Sequence, residues 1–399
     1  MLIGIVGKPS CGKSTFFKAA TLAEVEIANY PFTTIKPNHA VGFVKIKCVD
    51  RAFGKQCNPR EGYCLEGWRF VPVDLLDVAG LVPGAHEGKG LGNQFLDDLR
   101  QADVLIHVVD ISGSVNQRGE PVTPLSYDPI KDITFLEYEL DMWYAGILKK
   151  GWERFSRLVV QEKGNVIKAV AKQLSGLKVT EDMVKEAIEK LNLDVEKPTT
   201  WTEEQLTSIA IYLRKETKPM LIAANKIDVP GAEKNYEHLK QAFPDYLIIP
   251  CSADHEHALR EAAKHGLIQY IPGESDFKIL HPEKLNDKQK KALDIIKQRI
   301  LNVFSSTGVQ TILDKAVFEF LKYVAVFPGG VSKLEDQYGR TLPDCYLMAP
   351  KSTALDFAFK LHTDLGNHFI RAINVKTKKT IGKEYLLQQR DVIEIVSGK

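Results

Sequence analysis

The residues from Gly7 to Ser14 have a composition and spacing that suit phosphate binding. They read Gly-Lys-Pro-Ser-Cys-Gly-Lys-Ser, a GxxxxGK[ST] pattern placed between an apolar run and a helical pattern that begins near Lys13. Glycines let successive backbone N–H groups turn toward a phosphate, and the N-terminus of the following helix adds partial positive charge. The residues predicted to bind nucleotide phosphates here are Lys8, Pro9, Ser10, Cys11, Gly12, Lys13, Ser14 and Thr15.

Four positions carry the roles predicted for a triphosphate site. Lys13 is expected to neutralise the β- and γ-phosphates and to act in catalysis, and the Ser14 hydroxyl is expected to ligate Mg²⁺. Asp77-Val78-Ala79-Gly80 follows an apolar run, where a carboxylate can hold Mg²⁺ directly or through water. Gly80 has no side chain to block an approach, so its backbone N–H is predicted to contact the γ-phosphate during catalysis.

A second pair of loops predicts recognition of guanine. In Asn225-Lys226-Ile227-Asp228 the carboxylate of Asp228 can accept hydrogen bonds from the N1–H and 2-amino groups of guanine, whereas adenine presents a mismatched edge. Asn225 is expected to brace the loops and the Lys226 stem to cover the base. In Cys251-Ser252-Ala253-Asp254 the backbone N–H of Ala253 is expected to face guanine O6, with Ser252 beside it.

These loops follow apolar runs that alternate with helical patterns. The runs are 2–6, 70–76, 104–109, 220–224 and 246–249. Such βα alternation predicts an α/β fold with a doubly wound, mostly parallel sheet, which binds ligands at the carboxyl ends of its strands. Between residues 133 and 215 the strand-like runs stop and helical periodicity dominates, with a helix start predicted at Thr180.

From these changes in the sequence pattern we predict a P-loop core with an inserted helical subdomain and a small β-rich C-terminal domain. The predicted boundaries are 1–132 and 216–322 for the two parts of the core, 133–215 for the insertion and 323–399 for the C-terminal domain. In the last domain Leu347, Leu355, Phe357, Phe359 and Ile370 are predicted to be mostly core residues.

Composition and charge favour a folded protein that does not coat nucleic acid through bulk electrostatics. The 399 residues contain 53 basic and 51 acidic residues, with 44% apolar residues. No charged leader precedes the first apolar run, and no stretch of about 18 apolar residues occurs, so we expect a cytoplasmic protein without a membrane partner. Cys48, Cys57 and Cys64 cluster without a CxxC pair or a neighbouring histidine, so we interpret them as structural thiols.

The motifs in this order resemble the translation-factor-related GTPases, and more narrowly the Obg superfamily in its YchF-related branch. The markers are Asn29 to Asn38, reading NYPFTTIKPN, and Asp77 to Gly92, reading DVAGLVPGAHEGKGLG. The segments 349–358 and 389–396 are similar to a TGS domain. The resemblance implies GTP and GDP as ligands, Mg²⁺ as cofactor and hydrolysis of the β–γ bond.

By the same resemblance Thr34 is expected to ligate Mg²⁺ when GTP is bound and to act in catalysis, so that hydrolysis changes the order of two switch loops. Leu81 stands where Ras-like proteins carry a water-orienting Gln, which implies slow intrinsic turnover that an activating protein accelerates. Ser10 stands where potassium-dependent relatives have Asn, which argues against potassium activation. His86 and Glu87 are interpreted as partner- or solvent-facing residues.

The C-terminal domain suggests a ribosomal partner. Residues 345–399 hold seven Lys and two Arg against three Asp and two Glu, an excess of four positive charges that could contact ribosomal RNA. The residues considered for this contact, or else for a solvated basic face, are Lys351, Lys360, Arg371, Lys376, Lys378 and Lys379. We expect a GTPase switch acting on ribosomes or RNA and no DNA partner; the alternatives are an ATPase of the same architecture and a P-loop small-molecule kinase.

Overall fold

The computed structural model describes residues 1–22, 38–78, 84 and 92–398, which form two compact units. Unit 1 comprises Met1–Phe17 and Leu75–Asp254, and unit 2 comprises Lys18–Asp74 and His255–Lys399. Within the described part of the chain, no helix combines the length and apolar character needed to cross a membrane. The domain boundaries given above stay a prediction.

The strands are numbered along the chain. They are β1 (Leu2–Val6), β2 (His39–Lys47), β3 (Tyr63–Leu65), β4 (Trp68–Asp77), β5 (Val104–Asp110), β6 (Met220–Asn225), β7 (Ile248–Pro250), β8 (Ile268–Tyr270), β9 (Phe277–Ile279), β10 (Val324–Pro328), β11 (Tyr346–Met348), β12 (Phe369–Asn374), β13 (Lys379–Ile381) and β14 (Val392–Ser397).

The α-helices are numbered in the same way. They are α1 (Lys13–Thr21), α2 (Gly92–Gln101), α3 (Ile130–Lys149), α4 (Trp152–Gln161), α5 (Val166–Gln173), α6 (Glu181–Lys190), α7 (Glu203–Thr217), α8 (Ala232–Ala242), α9 (Ala253–Lys264), α10 (Asp287–Ile296), α11 (Asn302–Phe304), α12 (Val309–Lys315), α13 (Ala354–Leu361) and α14 (Thr363–Asn367). π-Helical turns join α10 to α11 and extend α12.

Unit 1 is built on a parallel sheet that gathers the predicted site at one edge. β1, β5, β6 and β7 pair in parallel in that order, and the end of β4 lies beside β1. Every residue of β5 is buried, as expected for a strand covered on both faces. Because parallel strands end at the same edge, the loops after β1, β5, β6 and β7 lie together there, beside the carboxyl end of β4. The predicted fold class is confirmed.

The helical insertion packs onto this sheet. α3 is the first α-helix of the insertion and α7 is the last. Both contribute to one buried cluster, which also contains Val6 of β1 and Leu105 of β5. The predicted helix start at Thr180 is confirmed, because its side chain accepts a hydrogen bond from the Met183 N–H at the beginning of α6. The insertion thereby supports the strands that carry the predicted site.

Among the described residues unit 2 contains three regions of sheet, one of which is the two-stranded β8–β9 sheet. β2 lies beside β4, and β3 forms an antiparallel hairpin with β4, elements that the search for βα alternation did not predict. The C-terminal sheet has the order β11-β10-β14-β12-β13, in which only β10 and β14 are parallel among the described residues. The expected β-rich C-terminal domain is thus present.

The predicted core of the C-terminal domain needs correction. Phe357 is fully buried, and Leu347 and Leu355 are half-buried, but Phe359 and Ile370 are 46% and 61% exposed. Phe359 lies on the outer side of α13 against Gly366, where an added Cβ would collide with its ring. Ile370 lies on an exposed stretch of β12. The error arose because apolarity alone does not say which side of an element faces the core.

We predict that Leu140→Ala destabilises unit 1. Leu140 is fully buried in the cluster that joins α3 to the sheet, so truncation leaves a cavity and should cost about 2–5 kcal/mol. The melting temperature of the nucleotide-free protein, measured by calorimetry, should fall by more than about 4 °C. The control is Leu158→Ala, because Leu158 is 43% exposed on α4. Equal melting temperatures for the two variants would contradict this packing.

Candidate nucleotide-binding site

The loop between β1 and α1 forms a tight cradle. Gly12 has φ +93°, a left-handed conformation that favours glycine, and it directly precedes Lys13 at the start of α1. The Phe16 N–H donates to the Gly12 carbonyl (2.9 Å), which closes the first helical turn and leaves the earlier N–H groups of the turn directed out of the helix. Such outward N–H groups at a helix N-terminus can bind phosphate oxygens.

Asn225 holds this cradle against the neighbouring loop. Its Nδ2 donates to the Cys11 carbonyl (2.9 Å), and its Oδ1 accepts from the Ala253 N–H (3.0 Å). An added Cβ on Gly12 would collide with the same amide nitrogen. Asn225 is 3% exposed at the end of β6, so both hydrogen bonds are shielded from water. One buried side chain therefore sets the separation of the phosphate loop and the loop after β7, and the Ala253 N–H, which was expected to face guanine O6, donates to Asn225 in this structure.

Lys13 and Asp77 form an ion pair at the edge of the sheet. The Lys13 Nζ contacts Asp77 Oδ1, and the two side chains are 13% and 20% exposed. Asp77 ends β4, and Ser14 follows Lys13 in the first turn of α1. The hydroxyl and the carboxylate are oxygen donors of the kind that Mg²⁺ prefers, and the ammonium supplies the positive charge that phosphate requires. These residues fit a nucleotide with its metal ion.

Asp228 lies next to the loop after β7. The Ser252 hydroxyl donates to Asp228 Oδ1 (2.6 Å), and the Ile227 N–H donates to the Cys251 carbonyl (3.2 Å). Both Ser252 and Ala253 are buried. The loops after β6 and β7 are thus tied by side-chain and backbone bonds, and the hydroxyl orients the carboxylate that the sequence predicts for base recognition.

Lys226 makes contacts that the sequence did not indicate. Its Nζ donates to the Ser10 carbonyl (3.0 Å) and pairs with Asp110 Oδ2 (3.1 Å), a carboxylate with no exposed surface at the end of β5. Asp110 also accepts hydrogen bonds from Ser112 and Ser114. Lys226 and Ser10 both have left-handed φ, +64° and +61°, a costly conformation that clusters at functional sites. The position of Asp110 at a strand end was the signal that could have identified it.

Lys8 is turned away from the cradle. Its Nζ pairs with buried Asp132 Oδ2 (2.8 Å), donates to the Val115 carbonyl (2.9 Å) and lies 3.9 Å from the centre of the Tyr127 ring. Any contact of Lys8 with phosphate is therefore left to its backbone. Nearby, burial and the charge of Lys8 lower the pKa of His107 to about 3, so this histidine is neutral and carries no charge into the site.

The other residues predicted for the site differ in exposure, and two of them lie outside the described part of the chain. Pro9 and Ser10 are exposed, Cys11 is buried and Thr15 is half-buried on α1. Burial raises the pKa of the Cys11 thiol to about 12, so it packs as a neutral side chain. Thr34 and Gly80 lie outside the described residues, as do Leu81, His86 and Glu87.

Comparison with known proteins agrees with this arrangement. Residues 2–136 match the family model of a 50S ribosome-binding GTPase, residues 223–330 match the G4 motif-containing domain of an Obg-like GTPase termed YGR210-like, and residues 339–397 match the TGS domain.

Two full-length relatives and one solved structure are similar to the chain. An uncharacterized GTP-binding protein of Methanocaldococcus jannaschii is 48% identical over 100% of this chain and 99% of its own. The ribosome-binding ATPase YchF of Bacillus subtilis is 29% identical over 98% and 97%. The crystal structure of a GTP-binding protein from Pyrococcus horikoshii is 39% identical with a TM-score of 0.78, and covers 100% of both chains. The chain therefore belongs to the Obg-like GTP-binding proteins of the YchF-related branch, with a C-terminal TGS domain.

Proposed function

We propose that this protein is a GTP-hydrolysing switch that acts on ribosomes. The observation that supports this most is the Asn225 amide, which joins the cradle for phosphates to the loop predicted to read the base. One strand end thus couples phosphate and base recognition, an arrangement suited to a whole nucleoside triphosphate rather than to a phosphate ion.

The residues predicted for the site would divide the work of binding and hydrolysis. Outward N–H groups at the start of α1 would hold the β- and γ-phosphates, and Lys13 would leave its ion pair with Asp77 to neutralise the γ-phosphate as charge develops there. Mg²⁺, held by Ser14, Asp77 and Thr34, would supply charge neutralisation at the phosphate oxygens. Gly80 would offer its backbone N–H. With Leu81 at the usual position of a water-orienting Gln, we expect slow turnover without a partner.

Base selection is assigned to Asp228. A carboxylate held by Ser252 can accept from both donors on the guanine edge, while adenine would place its own acceptor N1 against it. The Bacillus subtilis relative is named an ATPase, so ATP is the alternative nucleotide for a protein of this fold. A small-molecule kinase would transfer phosphate to an acceptor other than water.

We predict that Asp228→Asn weakens GTP binding by about ten- to a hundredfold, because charge-assisted hydrogen bonds contribute about 1.5–3 kcal/mol. ATP affinity should change little. Xanthosine triphosphate should bind the variant better than the wild type, because the amide can donate to the 2-oxo group of xanthine. Calorimetric titration with the three nucleotides measures this.

Asp245→Asn is the matched control, because Asp245 is exposed in the turn before β7. It should leave all three affinities unchanged. Equal affinity of the wild-type protein for ATP and GTP would overturn the assignment of GTP and favour the ATPase.

The ribosomal partner rests on two observations. The Bacillus subtilis relative is named ribosome-binding, and the six basic residues considered above for RNA contact are all exposed in unit 2. A basic exposed surface can bind RNA phosphates, with an affinity that falls as salt rises. We therefore assign ribosome contact to the TGS domain and place the protein, with its partner, in the cytoplasm.

We predict that ribosomes from the same source accelerate GTP hydrolysis. In Lys13→Ala, hydrolysis should fall by about 10²–10³-fold with ribosomes present, because the positive charge at the γ-phosphate is lost. Release of inorganic phosphate, with and without ribosomes near physiological salt, measures both effects. The folded control Lys8→Met should hydrolyse GTP faster than Lys13→Ala, because the Lys8 ammonium points away from the cradle. Wild-type turnover that ribosomes do not change would contradict the switch.

A further inference from the structure

Unit 2 holds a compact group of four side chains, which we call the 48–64 cluster. Its members are Cys48, Asp50, Cys57 and Cys64. One potential ligand atom from each residue lies within 4.8 Å of all the others. Three of the four are nearly without solvent contact: Cys48 is 3%, Asp50 1% and Cys57 5% exposed. All four members belong to unit 2, whereas the described residues predicted to bind nucleotide belong to unit 1.

Two of the six ligand–ligand distances in the cluster are close to the edge length of a tetrahedral metal site. Cys48 Sγ and Cys57 Sγ are 3.6 Å apart, and Cys64 Sγ and Asp50 Oδ2 are 4.0 Å apart. Ligands about 2.3 Å from a central ion at tetrahedral angles lie about 3.8 Å from one another. A disulfide between Cys48 and Cys57 would instead need about 2.0 Å between the sulfurs.

The local fold brings these residues together from separate elements. Cys48 directly follows β2, Asp50 begins a single helical turn, and Cys64 lies in β3. The Cys48 N–H donates to the carbonyl of Gly67 in the turn of the β3–β4 hairpin (2.8 Å), which joins the end of β2 to that turn. The Cys57 N–H donates to Asp50 Oδ2 (3.2 Å) and fixes the carboxylate within the group.

A buried carboxylate among thiols requires compensation for its charge. Asp50 accepts two backbone N–H bonds, from Arg51 (2.7 Å) and Cys57, and a long thiol bond from Cys64 (4.0 Å), and it forms no ion pair among the described residues. Arg69 lies directly across the hairpin from Cys64, but it donates to the Leu342 and Pro343 carbonyls. A divalent cation in the centre would give the buried carboxylate a direct positive partner.

We propose that the three thiols and the carboxylate of the 48–64 cluster bind one structural zinc ion. Thiolates favour soft or borderline ions, and a closed set of four ligands without an open position suits a structural rather than a catalytic site. Arg69 and Arg390, whose Nη2 donates to the Cys48 carbonyl (3.4 Å), would offset the negative charge of four anionic ligands around one divalent ion.

The ion would stabilise the segment between the cysteines, which forms hydrogen bonds with the C-terminal part of unit 2. The segment between the cysteines donates backbone hydrogen bonds from Asn58 to the Thr341 carbonyl (2.8 Å) and from Arg60 to the Pro343 carbonyl (2.9 Å). Arg60 also pairs with Asp344 (2.9 Å). Fixing the cysteine segment therefore also fixes its contacts with residues 341–344.

The test is the metal content of the full-length protein, purified under reducing conditions without chelator and analysed by plasma mass spectrometry. We expect about one zinc per chain in the wild type. Cys57→Ser and Cys64→Ser should lose most of it, and Asp50→Asn should bind zinc about tenfold or more weakly. Cys345→Ser is the matched control, because Cys345 lies outside the cluster in the same unit, and it should keep the full content.

A second measurement covers variants that fail to fold. Wild-type protein stripped with a chelator and reduced should bind added Co²⁺ and give the visible absorption of a tetrahedral thiolate site, which added Zn²⁺ should then abolish. Wild-type protein without zinc that also gives no such spectrum would overturn the proposal. Zinc retained in both cysteine variants, or lost in Cys345→Ser, would overturn the assigned ligands.

Discussion

The site in unit 1 depends on two hydrogen bonds made by one buried amide. Asn225 donates to the carbonyl of Cys11 and accepts from the N–H of Ala253. The first bond fixes the phosphate loop and the second fixes the loop predicted to face the base. Because both partners are backbone groups, the amide constrains main-chain positions directly, and the close approach of Gly12 allows no side chain between them.

The parallel sheet is what makes this constraint possible. β1, β5 and β6 are adjacent, so the end of β6 lies within reach of the loop after β1, and buried Asp110 at the end of β5 anchors Lys226 between them. Helices α3 and α7 of the insertion share their buried cluster with the same strands. Packing energy in the insertion therefore supports the geometry of the site, although the predicted nucleotide contacts lie outside it.

The sequence predicted most of this fold because its signals were local. Apolar runs followed by Gly-, Asp- or Asn-containing loops are short-range patterns, and each predicted run overlaps a strand of the sheet. The antiparallel β3 was missed because Tyr63–Leu65 is too short to show alternation. The direction of the Lys8 side chain could not be predicted either, because its partner Asp132 is distant in sequence and becomes adjacent only in the folded chain.

The same limit explains why the sequence did not predict a metal site at the 48–64 cluster. Its cysteines are nine and seven residues apart, and the fourth member is an aspartate, so no familiar ligand spacing appears in the sequence. Only the β3–β4 hairpin brings Cys64 beside Asp50. Hydrogen bonds between distant backbone segments, rather than residue types, decide which side chains meet.

The affinity of Asn225→Ala for GTP is the most direct test of the central claim, with Asn235→Ala as the control. Asn235 also donates from its side chain to a carbonyl in unit 1, that of Ile111 (3.0 Å), but does not contact the phosphate loop. We expect Asn225→Ala to bind GTP about ten- to a hundredfold more weakly than Asn235→Ala, because two buried hydrogen bonds are lost. Equal affinities in two folded variants would contradict the account.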